Sequence, residues 1–443
     1  MTYPKTILNS KIRKAINIFL ILSFFIISPI VVLYTTGYRY DLKTGDISQT
    51  GVIGVDVKPN TAKVFLNNIE IKKKIPIRVT NLAPDFYSIR IELDGYYTWL
   101  KDIDVKSKKS TFISNVWLYK KSTPTSILNS FKNTANVEFS PDGKYALLTT
   151  KENGIYEVKI YETSSKQIST ITRTTNEQEP QTSWSSFGNS AYIKITDSVR
   201  TTIYLLSATI PDNTNSFIFD TKSLDNNIQW KNSALPAIFI KENHEIKQLS
   251  LTGEKIITSN LNVDNWFVDE KNDVWSVDNN KKTLKMVSGT EDSIPYSLNQ
   301  TENKIIDINS KRAILTNQNE TTIIKLNTRE SVSIKTDSFT FSQYSNSWLT
   351  WSPLEIWEIW ESGDYKLVNR TSEIIKTVNP LDKYGVLLLT SENYIKTFDT
   401  NYLLSQKLLE NVTIKKISIN QKEQSIFFWG IVNQEENFFE LKY

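Results

Sequence analysis

The chain has 443 residues, no cysteine, and 52 Lys and Arg against 48 Asp and Glu, which gives a net charge of +4. Without cysteine it can form neither disulfides nor thiolate metal sites, so buried apolar side chains must stabilise the fold. Thr, Ser, Asn, Ile, Tyr and Trp are abundant, a composition that favours strands joined by polar turns, and we expect an all-β protein after the N-terminal segment.

Residues 15–34, AINIFLILSFFIISPIVVLY, form the longest apolar run of the chain. As a helix of about 1.5 Å per residue, this run matches the roughly 30 Å hydrocarbon core of a bilayer. A cleaved signal peptide is the alternative, but its apolar region is normally only about 7 to 15 residues long. The run therefore predicts one transmembrane helix, with the lipid bilayer as its partner.

The charges that flank this helix predict its orientation. Four cations precede it, namely Lys5, Lys11, Arg13 and Lys14, whereas residues 35–50 carry two cations and two anions. Because positive charge is retained on the cytoplasmic side, residues 1–14 are expected in the cytoplasm. The chain is then a single-pass protein of the cell membrane with extracytoplasmic C-terminal domains.

A polar linker without clear apolar period is expected over residues 35–50, and a small β-sandwich over 51–121. Short alternating segments predict five to seven strands in this sandwich, beginning near Val52 and ending near Leu118. Asn67-Asn68 is a tight-turn dipeptide because Asn tolerates positive φ better than most residues.

The order of features in this region resembles the PEGA domain, a small extracytoplasmic β module of bacterial and archaeal surface proteins. The matching features are Pro59 with Ala62, the strand Val64-Phe65-Leu66, the turn Asn67-Asn68, Ile75-Pro76 and the strand end at Gly95-Tyr96. The name-giving Pro-Glu-Gly-Ala stands here as Pro59-Asn60-Thr61-Ala62, and a glycine usual before the aromatic strand is missing around Asp85-Phe86. The resemblance implies an extracytoplasmic spacer without catalytic residues.

Charge is distributed unevenly along the chain. Residues 1–121 hold 19 Lys and Arg against 9 Asp and Glu, whereas residues 122–443 hold 33 against 39. The lysines next to the membrane either interact with anionic headgroups or acidic wall polymers, or only solvate small strands. The acidic larger part and the compartment argue against nucleic-acid binding.

Residues 122–443 repeat a pattern of short strands every 35 to 45 residues or so, and eight such units can be counted. Four strands per unit, with a polar turn before the second, predict an eight-bladed β-propeller. Seven blades remain an alternative if residues 264–299 are a long insertion. The turn Ser140-Pro141-Asp142-Gly143-Lys144-Tyr145 resembles the blade turn of TolB-like and WD40-like propellers, with weaker echoes at 186–189 and 379–384.

The last unit ends without an outer strand, and the segment Thr125-Ser126-Ile127-Leu128 precedes the first unit. We expect this segment to pair with the last blade, which would join the two ends of the ring and cover two open sheet edges.

No motif in the sequence predicts catalysis. His244 is the only histidine, it lies in a predicted turn, and no Gly-x-Ser-x-Gly sequence exists. No phosphate loop, dinucleotide fingerprint, calcium loop or His/Cys metal cluster occurs, so no cofactor and no enzyme activity are expected.

Four tryptophans lie in one hairpin of the predicted propeller. Alternation places Trp357 and Ile359 on one face of a strand and Ile356, Glu358 and Trp360 on the other. The aromatic residues either pack between blades or form an exposed platform that contacts a sugar or a partner protein. In the second case the contact residues are Trp348, Trp351, Trp357 and Trp360.

The sequence thus indicates a membrane-anchored, extracytoplasmic binding or scaffolding protein of a prokaryotic cell envelope. Envelope proteins or cell-wall polysaccharide are the expected partners. Two alternatives stay open: an envelope glycan hydrolase or lyase with an axial site on the propeller, and an accessory subunit of an envelope complex.

Overall fold

The computed structural model describes residues 10–40, 45, 47–127, 133–259, 261, 263, 265–288, 294–299, 303–336 and 338–443. The chain divides into two compact units, Met1–Lys121 and Ser122–Tyr443. The first contains a helix and a small β domain, and the second contains a ring of sheets.

Helix α1 (Ser10–Thr35) has 26 residues, which corresponds to roughly 39 Å. Among the described residues it is the one helix long and apolar enough to cross a membrane, with a mean hydropathy of 2.7 over its most apolar 18 residues. Its apolar side chains are exposed rather than packed against protein. The helix ends where the Thr36 amide bonds the Val32 carbonyl at 3.0 Å and Gly37 adopts a φ of +87°.

A hairpin follows the helix where the sequence predicted a linker without strands. Strands β1 (Tyr38–Tyr40) and β2 (Ile47–Gln49) pair antiparallel, with Tyr38 opposite Gln49. The prediction missed them because three-residue strands that bury no apolar face have no detectable alternation.

Two sheets form the small β domain. Its strands are β3 (Gly51–Lys58), β4 (Lys63–Leu66), β5 (Ile69–Glu70), β6 (Ile77–Leu82), β7 (Asp85–Glu92), β8 (Trp99–Val105) and β9 (Ser110–Trp117). The sheets have the orders β6-β3-β9 and β5-β4-β7-β8, and the β3–β9 pair is parallel. Alternate residues of β3 and β7, such as Ile53, Val55, Ile89 and Ile91, are buried between the sheets, as the predicted sandwich requires.

The predicted Asn-Asn turn is present between β4 and β5. Leu66 pairs with Ile69, so only Asn67 and Asn68 lie in the turn, with φ values of 48° and 67°. Positive φ at both central residues is the turn geometry whose twist matches that of paired strands.

The second unit begins with the short strand β10 (Thr125–Ser126), and seven blades of four antiparallel strands follow in chain order. The first three are β11–β14 (Thr134–Phe139, Tyr145–Glu152, Ile155–Glu162, Gln167–Thr174), β15–β18 (Gln181–Trp184, Ser190–Thr196, Arg200–Ser207, Ile210–Asp220) and β19–β22 (Leu224–Trp230, Ala237–Glu242, Glu245–Ser250, Gly253–Thr258). The next two are β23–β26 (Trp266–Val268, Val274–Asp278, Thr283–Met286, Tyr296–Ser297) and β27–β30 (Lys304–Ile308, Arg312–Thr316, Thr321–Lys325, Ser331–Ile334). The sixth and seventh are β31–β34 (Ser338–Ser342, Ser347–Trp351, Glu355–Ile359, Tyr365–Arg370) and β35–β38 (Thr377–Pro380, Val386–Thr390, Tyr394–Asp399, Leu404–Glu410).

The eighth blade closes the ring. It consists of β39 (Val412–Asn420), β40 (Ser425–Val432) and β41 (Glu435–Lys442), and its fourth strand is β10 from the start of the unit. Thr125 pairs with Glu440 and Ser126 with Phe439, and the Ile127 amide donates to the Phe438 carbonyl at 2.9 Å. The predicted closure is confirmed for these residues, while Leu128 lies outside the described residues. Over the described parts of this unit there are eight four-stranded sheets, so eight blades are confirmed and residues 264–299 contribute a blade, not an insertion.

Apolar side chains fill the spaces between neighbouring blades. At the closure, Val137 and Phe139 of the first blade pack against Phe427, Trp429 and Phe438 of the last. Similar clusters join other neighbouring blades around the ring. Since each large side chain buried in this way contributes roughly 1.5–3 kcal/mol, the interfaces between blades hold the ring together.

Candidate functional site

The first strand of each blade lies nearest the axis of the ring. Strand β11 contacts the first strands on both sides, β39 and β15, and the pairs β23–β27 and β31–β35 are also in contact. The turns from first to second strand therefore gather at one axial end, and the opposite end is formed by the starts of the first strands.

The predicted blade turn is built as its residue types require. The Gly143 amide bonds the Ser140 carbonyl at 2.9 Å, the Ser140 hydroxyl donates to Asp142 at 2.8 Å, and Gly143 has a φ of +64°. The echo in the second blade repeats this pattern, since the Gly188 amide bonds the Ser185 carbonyl at 2.9 Å and Gly188 has a φ of +71°. These hydrogen bonds and positive φ values shape the two turns.

Contacts across the axis close the end where these turns gather. Gln343 of the sixth blade donates through Nε2 to the Ser186 carbonyl of the second blade, and these two blades are opposite each other in a ring of eight. A Cβ on Gly188 would lie 2.8 Å from the Asp142 carboxylate, so these turns already touch. We call this end, with Gln343, Ser186 and the C-terminal Tyr443, the closed end.

The acidic groups near the closed end are structural. Burial raises the pKa of Asp382, although its Oδ1 accepts backbone amides from Tyr384 at 2.8 Å and Val386 at 3.0 Å. Burial likewise raises the pKa of the Tyr443 phenol, and the negative charge of Asp382 adds to this effect. The Asp382 carboxylate therefore holds its own turn through these two amide bonds.

Side chains of the first strands remain exposed at a distance from the closed end. They lie three or four residues before the end of their strands. We call them the first-strand surface; they are Gln181, Asn226, Lys304, Phe339 and Lys416. Phe339 is 38% exposed although its ring packs edge-on against Trp348 at 5.9 Å, and Lys416 pairs with Glu138 of the first blade at 2.7 Å.

This surface combines hydrogen-bonding groups with one aromatic ring. Two amides and two ammonium groups can donate to carbonyl, hydroxyl or carboxyl oxygens, and an exposed ring offers an apolar contact. Sequence reasoning did not find these residues, because they come from five different blades and share neither residue type nor spacing.

The four tryptophans predicted as possible contact residues pack mainly against other side chains of the propeller. Trp351 is 7% exposed in the cluster between the sixth and seventh blades, and its Nε1 donates to the Lys376 carbonyl at 3.2 Å. Trp348 and Trp357 are half-buried against the fifth blade, and the Trp348 Nε1 donates to Asp307 at 2.8 Å. Trp360, at the end of the hairpin, is half-buried. Trp348 and Trp357 thus lie on the face of the sixth blade toward the fifth, whereas Trp351 lies on the face toward the seventh.

The remaining chemical candidates do not assemble into a site. His244 is exposed in the turn between β20 and β21, where its Nδ1 lies 3.3 Å from the Leu261 carbonyl. Within the described ranges no three His, Cys, Asp or Glu side chains are grouped as metal ligands.

This geometry defines a class: an eight-bladed β-propeller closed at one axial end, preceded in the chain by a small two-sheet β domain. Residues 50–120 match the family model of the PEGA domain, which confirms the resemblance seen in the sequence. No curated protein matches the chain.

Solved structures similar to this chain are β-propeller-like. A streptogramin B lyase structure is 12% identical, covers 72% of this chain and 97% of its own, and has a TM-score of 0.41. The uncharacterized protein lmo1340 from Listeria monocytogenes EGD-e is 12% identical, with coverage of 67% and 99% and a TM-score of 0.44. Likeness at this level carries no argument about activity.

Proposed function

We propose that this chain is a single-pass protein of a prokaryotic cell envelope, with a cytoplasmic N-terminus, whose extracytoplasmic propeller binds an envelope protein or a wall polysaccharide. The observation that carries the proposal is the combination of an exposed 26-residue apolar helix with an adjoining domain that matches PEGA.

The C-terminal end of the helix has features that suit a membrane interface. The Arg39 guanidinium lies 3.7 Å from the centre of the Tyr34 ring and donates to the Tyr34 and Tyr38 carbonyls, each at 2.7 Å. Aromatic rings are enriched at the headgroup level, and a cation beside the last carbonyls stabilises a helix end. These contacts support Tyr34 as the outer limit of the membrane span.

Topology can be tested because the chain has no cysteine. Single cysteines at Thr6 and at the exposed Ser164 would be treated with a membrane-impermeant maleimide on cells whose inner membrane is intact. We expect labelling of Ser164→Cys before lysis and of Thr6→Cys only after lysis. The reverse pattern, or a mature chain that lacks residues 15–34, would contradict the proposed anchor.

The binding role is supported by the first-strand surface, which offers amides, cations and a ring. A photoreactive amino acid at Gln181 or Phe339, introduced into the full chain in cells, should give discrete cross-links to one partner. The matched control is the same group at Ile168, which is also exposed but lies on the outer strand β14. Equal cross-linking from both positions would contradict a binding site on this surface.

An activity assay distinguishes the proposed binding role from that of an envelope hydrolase or lyase. Purified chain would be incubated with wall polysaccharide, and new reducing or unsaturated ends would be measured. We expect retention of the polymer without new ends. Turnover that a carboxylate substitution abolishes would overturn the non-enzymatic role.

A further inference from the structure

The turn between β8 and β9 of the small domain carries Lys106, Lys108 and Lys109, and all three are exposed. Lys106 lies 3.5 Å from Asp104, both side chains being largely exposed, which makes that pair weak. The turn is therefore strongly cationic.

Hydrogen bonds tie this turn to the end of helix α1. The Thr50 amide donates to the Gly37 carbonyl at 2.9 Å, and the Lys108 amide donates to the Thr50 carbonyl at 3.2 Å. The Val52 amide then donates to the Lys109 carbonyl at 3.0 Å. Because only Thr50 lies between the first two bonds, the Lys108 amide is within about 10 Å of the Gly37 carbonyl.

The depth of Gly37 follows from the proposed span. If Tyr34 marks the edge of the hydrocarbon core, Gly37 lies about 4.5 Å beyond it. The headgroup layer is roughly 5–7 Å thick on each side, so Gly37 is within this layer. The lysine turn then lies within about one Debye length, ~10 Å, of the headgroup charges.

Apolar groups flank the same end of the domain. Phe86 is 68% exposed and pairs with Asp104, two residues before Lys106. Phe112 is 67% exposed on β9, three residues after Lys109, and its ring covers Gly54. Exposed phenylalanines beside lysines are the combination that binds at a charged lipid interface.

We propose that Lys106, Lys108 and Lys109, flanked by Phe86 and Phe112, form a second membrane contact that docks the small domain on anionic phospholipid headgroups. This inference rests on the proposed membrane span of helix α1. It adds to the anchor a charge-dependent contact that would hold the small domain against the bilayer surface.

The test uses the full chain in two kinds of nanodisc. One contains only neutral lipid, and in the other phosphatidylglycerol makes up one third of the lipid. A bimane would be attached to Ser107→Cys, and its quenching by lipid with a nitroxide headgroup would be measured. Asn60→Cys, in the turn after β3 at the other end of the domain, is the control position. We expect quenching at residue 107 in anionic discs, loss of quenching in 0.5 M salt, and none at residue 60.

Charge reversal provides the decisive comparison. At roughly fivefold per lysine near an anionic surface, Lys108→Glu with Lys109→Glu should shift the docked-to-undocked ratio at least 25-fold toward undocked. Lys72→Glu with Lys74→Glu changes two exposed lysines of another loop and should leave docking intact. Equal quenching at residue 107 in both lipids, quenching that survives reversal of Lys108 and Lys109, or quenching in neutral discs only after an anionic wall polymer is added would overturn the lipid contact. A chain that does not enter the discs would instead refute the span itself.

Discussion

Replacement of Gly143 by alanine tests how the ring is closed. Gly143 has a φ of +64°, and a Cβ there would lie 2.6 Å from the Ile419 carbonyl carbon and 2.7 Å from the Asn420 amide nitrogen. These are backbone atoms of β39, so the last blade must move away from the first. The shift would weaken the 2.7 Å bond from the Ser418 hydroxyl to the Ser140 carbonyl.

The expected magnitude comes from three contributions. Positive φ costs an alanine about 1 kcal/mol, displacement of packed backbone about 1–3 kcal/mol, and the weakened hydrogen bond about 1 kcal/mol. We expect a loss of roughly 3–5 kcal/mol for Gly143→Ala. Gly154→Ala is the matched control, because its φ is +80° but nothing lies within 4 Å of its Cβ position, so it should lose only about 1 kcal/mol.

Tryptophan fluorescence is a suitable assay, because Trp99 and Trp117 lie in the first unit and the other nine of the 11 tryptophans lie in the second. At about 2 °C per kcal/mol for a unit of this size, Gly143→Ala should lower Tm by roughly 6–10 °C and Gly154→Ala by about 2 °C. Equal Tm values for the two variants would refute the close approach of the first and last blades.

Three further changes test other contacts of the ring. Ile127→Pro removes the amide that donates to the Phe438 carbonyl and should lower stability by about 3 kcal/mol, whereas Ile127→Val should cost about 1 kcal/mol; equal Tm values would contradict the closure strand. Trp351→Ala should cost about 3–5 kcal/mol in urea denaturation because its ring is buried, and Trp360→Ala, at a half-buried position, less than half of that; the opposite ranking would contradict the packing role. The hydrogen bond from Lys396, and then that from Tyr394, lowers the pKa of Glu373 below its ordinary 4.5, so this carboxylate stabilises the fold above pH 4.5 and loses its effect as the pH falls through the lowered value. Glu373→Gln should therefore lower Tm at pH 7, and the difference from the parent chain should shrink as the pH falls below 4.5 through the lowered pKa; a difference in Tm that stays constant on acidification would contradict the ion pair.

The propeller could be predicted because its repeats are local. Each blade needs alternating apolar residues and a polar turn, and the dipeptide Asp142-Gly143 is a clear sequence signal for such a turn. The closure could also be predicted, since a last blade without an outer strand requires one from elsewhere and Thr125-Ser126 was available. The hairpin β1–β2 could not, because its strands bury no continuous apolar face and are fixed by Thr50 bonding Gly37.

The axial surfaces could not be predicted, and the reason is geometric. Gln343 and Ser186 are 157 residues apart and belong to opposite blades, so no local pattern relates them until the ring is complete. The same is true of Gln181, Phe339 and Lys416, which the ring alone brings around one axis. The four tryptophans of the sixth blade suggested a contact surface in the sequence. Large aromatic side chains are, however, mostly buried in folded proteins.

Closure at one end has a consequence for binding. A ligand that approaches along the axis from the closed end meets the contact between Gln343 and Ser186, whereas the first-strand surface lies away from this barrier. A ligand at the closed end would have to replace the bond between Gln343 and Ser186 and the amide bonds of Asp382, so it would gain little net free energy. The Gln181 amide and the Lys304 ammonium of the first-strand surface are instead exposed to solvent, so a ligand can bond them directly. Recognition by this propeller is therefore expected at the first-strand surface, and a partner that cross-links to Gln343 but not to Phe339 would contradict that expectation.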